Sequence, residues 1–92
     1  MIERRHSVYV VLLNIKGREA YYVGLTGRTP EERFKQHKAG YKASKWVKKY
    51  GDRLVPELYE HLNPMFYEDA VDMECQLSAE LKQRGWEVYG GH

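Results

Sequence analysis

Ala70, Met73, Leu77 and Leu81 recur at helical spacing and mark the stripe by which a long C-terminal helix would face a core. Glu74 falls inside that stripe, four residues after Ala70 and three before Leu77. A carboxylate aimed inward is costly unless a cation, several donors or a metal ion meets it. Arg33 and His37, four residues apart, share one face of an earlier helix and would offer a planar fork of donors and a titratable ring. Around them, residues 28 to 53 carry nine Lys and Arg against three acids, a balance of +6, whereas residues 54 to 92 balance at −6. This basic run (Arg28, Lys35, Lys38, Lys42, Lys45, Lys48, Lys49) suits a polyanion such as a phosphate backbone. Residue by residue, plainer readings stand beside these. Glu74 and Arg33 can form an inward ion pair that sets helix packing, His37 can sit on a helix surface, and the lysines can simply solvate helices.

The elements that must position these groups are marked by turn and cap chemistry. Val8 to Leu13 and Ala20 to Leu25 read as two strands of an antiparallel hairpin, with turn residues from Asn14 to Arg18. Period-two alternation puts Tyr9, Val11 and Leu13 on one face of the first strand and Tyr22 with Gly24 on one face of the second. Thr29-Pro30-Glu31-Glu32 is a capping box with proline at the first helical position, and that helix runs to Gly40. A short second helix starts after Ser44 and stops at Gly51. Arg53 to Leu62 reads as a third strand, confined to an edge or a bulge by Pro56. The long helix spans about Phe66 to Arg84, and Trp86 to Tyr89 adds a short extended segment. The expectation is therefore an α/β chain of the α+β kind, a three-stranded antiparallel sheet with helices packed on it, in one domain over residues 1–92.

Composition removes several classes. With 42% hydrophobic and 30% charged residues the chain has a globular, not a disordered, balance. Cys75 is the sole cysteine, which excludes an intrachain disulfide and a thiolate-rich zinc site, and its helical setting suggests a buried structural thiol. The apolar run Val8 to Leu13 is too short for a signal-peptide core or a membrane span, so a cytoplasmic (or nucleoid or nuclear) setting with no membrane partner is expected.

Ser7-Val8-Tyr9 followed by Tyr22-Val23-Gly24 resembles the two tripeptides that name the GIY-YIG nuclease superfamily. Arg33, nine residues after Gly24, His37 one turn later, and Glu74 on the long helix match that family's arginine, histidine and metal-binding glutamate in order. The resemblance implies a small catalytic domain that hydrolyses DNA phosphodiesters, in restriction, repair, recombination or mobile-element spread, with one Mg²⁺ or Mn²⁺ ion on Glu74. It implies further that Tyr9 activates or orients the attacking water with Tyr22 in support. Arg33 would grip the phosphate, His37 would relay a proton or touch the phosphate, and Gly24 would let the backbone approach closely. Two departures stand out. Ser7 replaces the first glycine, and the region after the glutamate helix, where many members carry an asparagine, has none, leaving His92 as a stand-in. The second departure keeps open a nucleic-acid-binding module that has lost turnover. Target choice would fall to a second copy in a homodimer or to a separate targeting partner.

Overall fold

The computed structural model describes residues 4–91, so His92 lies outside the described residues. Strand β1 (Ser7–Ile15) and strand β2 (Arg18–Thr26) form the expected hairpin, paired in continuous register from Ile15 opposite Arg18 to Ser7 opposite Thr26. Its loop is only Lys16-Gly17, both at positive φ (55° and 87°), the two-residue turn whose twist matches that of paired strands. Asn14 braces it by accepting the Gly17 N–H on its side-chain oxygen at 2.9 Å. The register places Tyr9 opposite Gly24 and Val11 opposite Tyr22, so the aromatic pair and the glycine share one face.

Helix α1 (Pro30–Ala39) has the complete capping box at Thr29 and Glu32, and α2 (Lys45–Tyr50) is capped by the Ser44 side chain. Strand β3 is shorter than the sequence suggests, Gly51–Leu54 where Arg53 to Leu62 was expected. The Val55 N–H still reaches the Val10 carbonyl at 2.9 Å, but Pro56 has no N–H to continue the ladder. The chain turns instead into two short 3-10 segments, Pro56–Leu58 and Glu60–Leu62. Helix α3 (Tyr67–Gln83) then carries the buried stripe of Ala70, Glu74, Leu77, Ser78 and Leu81. Cys75 is half-buried on it, beside the stripe and not within the core.

The sheet has four strands in the order β3-β1-β2-β4, not three, because Val88–Gly90 forms β4 and pairs parallel to β2 from Tyr21–Val88 to Val23–Gly90. Three residues give too little alternation to be read as a strand. What makes them one is the open edge of β2, to which α3 returns the chain. Val8, Tyr9, Val10 and Val11 are all buried, so β1 is covered on both faces. Among the described residues, no helix is long and apolar enough to cross a membrane.

Candidate active site

Tyr9, the third residue of β1, reaches toward α1, and its ring tip lies over Gly24 on the neighbouring strand. A Cβ at position 24 would stand 2.6 Å from both the Tyr9 Cζ and Oη atoms, so the ring occupies the space a side chain would need. The Tyr9 hydroxyl lies 2.8 Å from His37 Nε2 in a buried contact. His37, far from being a surface residue, is 1% exposed. Its other ring nitrogen, Nδ1, faces the backbone N–H of Ser44 at 3.0 Å.

This second bond determines the tautomer. A backbone N–H can only donate, so Nδ1 accepts and the imidazole proton resides on Nε2. Burial, reinforced by the Arg33 charge, lowers the His37 pKa to about 4, so the ring is neutral near pH 7. His37 is therefore a hydrogen-bond donor to the Tyr9 oxygen. It is not poised to take a proton from Tyr9, as a relay would require. The hydroxyl proton of Tyr9 must point elsewhere.

Tyr22 completes the aromatic cluster, its ring centroid 6.3 Å from that of Tyr9 and 5.8 Å from that of His37. Burial, first of all, holds the Tyr9 phenol well above the usual tyrosine pKa and raises that of Tyr22; the Glu74 charge pushes each further up and Arg33 draws each down. Glu74, on α3, is 6% exposed, so the inward placement read from its helical spacing holds. The structure thus brings Tyr9, Tyr22, Arg33, His37 and Glu74 into one electrostatic neighbourhood, drawn from two strands and two helices.

Arg33 is engaged differently from a free phosphate fork. Nη2 donates to the Lys42 carbonyl at 2.7 Å, while Nη1 donates to the Tyr41 carbonyl at 3.1 Å and to the Gln36 side-chain oxygen at 3.3 Å. Of its five N–H groups, the one on Nε and one on Nη2 remain, and one of them serves the side-chain hydrogen bond to the Tyr9 hydroxyl that draws the Tyr9 pKa down. Arg33 thereby ties the α1–α2 loop to the site. Lys38 is also committed locally, its ammonium donating to the Gly51 carbonyl at 2.9 Å and reaching the Lys48 carbonyl at 3.4 Å. Arg28 sits 3.8 Å from Glu32 in an exposed pair. Lys35, Lys42, Lys45, Lys48 and Lys49 are exposed.

Among the described residues, no group of three or more His, Cys, Asp or Glu side chains could hold a metal ion. A single hard carboxylate beside phenolic oxygens does suit a hard divalent cation, which binds oxygen and keeps much of its water or takes up phosphate oxygens. Ser44 is the residue that sequence reasoning missed. Read only as a cap, it also orients His37 through its main chain, and no spacing rule would reveal that contact between residues seven apart.

Residues 5–84 match the model of a family described as the GIY-YIG catalytic domain. No curated protein and no solved structure matches the chain.

Proposed function

Because the chain belongs to the GIY-YIG catalytic domain family, we propose that it is a divalent-metal-dependent endonuclease that hydrolyses DNA phosphodiester bonds. The observation that carries this reading is the hydrogen-bonded line from Ser44 N–H through His37 to Tyr9, whose hydroxyl lies within reach of the charge of the buried Glu74.

In this reading Tyr9 orients the attacking water and, once ionised with its own proton lost to solvent, accepts that water's proton. The resting phenol is protonated, and the Nε2–H of His37 favours the ionised form by donating to the charge that develops on the Tyr9 oxygen. Such a charge-assisted bond is worth about 1.5–3 kcal/mol, against about 1 kcal/mol for a neutral one. Tyr22 excludes water from the far side of Tyr9 and adds a second hydroxyl near the reacting oxygens. Arg33 binds a non-bridging phosphate oxygen through its remaining N–H group while its other donors hold the loop and Tyr9. Glu74 would hold the divalent ion, Mg²⁺ or Mn²⁺, which when bound supplies positive charge to neutralise the phosphate and assist the departing alkoxide. The exposed lysines of α2 and the α1–α2 loop, together with Arg28 and Lys35, provide the sequence-independent attraction for DNA. Contacts to phosphate carry no sequence information, so any sequence preference would come from base contacts, a second copy or a partner.

The test is cleavage of supercoiled plasmid by the native chain and Glu74→Ala, in Mg²⁺, Mn²⁺ or EDTA. Nicking that requires the metal and disappears in the variant supports the reading. Undiminished cleavage by Glu74→Ala removes the metal assignment. Salt-dependent DNA binding with no cleavage on any substrate points to a binding module of the same fold.

A further inference from the structure

Among the described residues, three large aromatic side chains are exposed: Tyr41, Tyr67 and Trp86. Tyr67 packs edge-on to His6, with ring centroids 5.1 Å apart, and Trp86 packs on Tyr21 at 5.0 Å. Trp46, less exposed, is stacked on Tyr89 at 4.0 Å with 22° between the planes, and Tyr50 leans on Trp46. Packing accounts for all of these. Among the described residues the ring of Tyr41, 56% exposed, touches no other aromatic ring.

The backbone beneath that ring is held firmly. Gly40 at φ 88° ends α1, and Lys42 adopts φ 44°, which side-chain-bearing residues seldom take up. The Tyr41 N–H donates to the Gln36 carbonyl at 2.9 Å, and the carbonyls of Tyr41 and Lys42 both accept from Arg33. A strained backbone restrained from both sides presents one aromatic ring to solvent, fastened directly to the phosphate-binding arginine. Lys42 Nζ stands 5.6 Å from the ring centroid, so a cation accompanies the π-face. The same pairing of lysine and aromatic recurs along α2, with Lys45 over Trp46 and Lys49 over Tyr50.

We propose that Tyr41 is a stacking platform for an unpaired nucleobase of the DNA whose phosphate lies on Arg33, so that the preferred substrate carries an unpaired nucleotide next to the cleaved bond. This deepens the nuclease reading and rests on it. A base within a duplex is stacked on both faces and has none to offer, whereas a bulged, flapped or single-stranded base has one. Base–aromatic stacking of this kind is sequence-tolerant, because every base has a π-face. Lys42 meets the backbone phosphate beside the stacked base, and Arg33 sets the distance between the two contacts by holding the loop.

The deciding experiment is fluorescence anisotropy in EDTA with two duplexes that differ at one bulged position, one carrying adenine and the other an abasic sugar. Phosphate charge is identical in the two, so their difference reports the base alone. The native chain is expected to bind the adenine bulge roughly five- to hundredfold more tightly, the range that stacking of one base on an aromatic ring spans. Tyr41→Leu should bind both probes alike, and Tyr41→Trp should restore the preference. Circular dichroism of the variants separates lost stacking from lost fold. Equal affinity of the native chain for both duplexes, or a preference that survives in folded Tyr41→Leu, overturns the proposal. Salt-dependent binding without base preference refutes the stacking alone, while failure to retain either duplex at low salt refutes the nuclease reading as well.

Discussion

Gly24→Ala is the smallest change that should dismantle the site. The added methyl would stand 2.6 Å from Tyr9 Cζ and Oη and 3.0 Å from Cε1, where carbon atoms in contact prefer about 3.5–4.0 Å. The Tyr9 ring must therefore retreat by about 1 Å, from a position where it is 2% exposed and packed in the core. Backbone conformation offers no objection, since Gly24 is not among the glycines at positive φ. The replacement would even gain a few tenths of a kcal/mol by restricting the unfolded chain. Overpacking of this kind costs about 1–3 kcal/mol, so a net loss of about 1–2 kcal/mol is expected. The 2.8 Å contact with His37 would break in the same movement. Displacement of a reacting group by about 1 Å commonly lowers rate about a hundredfold. Urea denaturation measures the first effect and single-turnover cleavage the second. A double-mutant cycle with Tyr9→Leu locates the cause, because Gly24→Ala should cost almost nothing once the ring has gone. Native stability in Gly24→Ala, or the same stability loss with and without the Tyr9 ring, would refute the close-approach explanation.

Glu74→Ala should abolish metal-dependent cleavage and leave DNA retention largely intact; retention that fails at low salt would show that Glu74 serves architecture. Because the His37 pKa falls from 6.5 to about 4 on folding, the unfolded chain binds the extra proton between those values. Stability from this residue is therefore complete above about pH 6.5 and is lost as pH drops toward 4. Urea midpoints of native and His37→Gln across that window should differ in slope, and parallel curves would contradict a buried neutral imidazole. Removing Lys45, Lys48 and Lys49 together should lower the slope of log K against log salt by about 0.9 for each lysine that meets a phosphate. Lys38→Met, by contrast, should leave that slope unchanged and lower stability by about 0.5–1.5 kcal/mol through its lost main-chain bonds; a reduced slope in this variant would place Lys38 on the DNA.

Much of the architecture was legible because its determinants are local. Thr29, Pro30 and Glu32 specify a helix start through bonds within one turn, and the Asn14 to Arg18 stretch marks the hairpin through its turn chemistry. Period-two alternation put Tyr22 with Gly24 on one face of the second strand, and helical spacing turned Glu74 inward; burial agrees with the second, and the register, with Tyr9 opposite Gly24, joins Tyr9 to the face of the first. Strand β3 was overextended because an apolar stretch looks much the same whether it continues a ladder or enters 3-10 turns. The missing Pro56 N–H, one atom, separates the two outcomes. The extended segment expected from Trp86 to Tyr89 was not assigned to the sheet, because three residues carry no usable period and take their pairing from the edge of β2.

By itself, then, the sequence determined which residues cap, alternate and face inward, since those properties depend on neighbours within a few positions. Tertiary structure alone decided what the site residues do to one another. Burial and the Ser44 N–H make His37 a neutral donor to Tyr9, the Tyr9 ring claims the space above Gly24, and the loop carbonyls engage most of Arg33. Tautomer, close approach and donor occupancy are set by atoms about 3 Å apart in space. They belong to residues as far apart in the chain as Tyr9 and His37, and sequence spacing does not encode such distances.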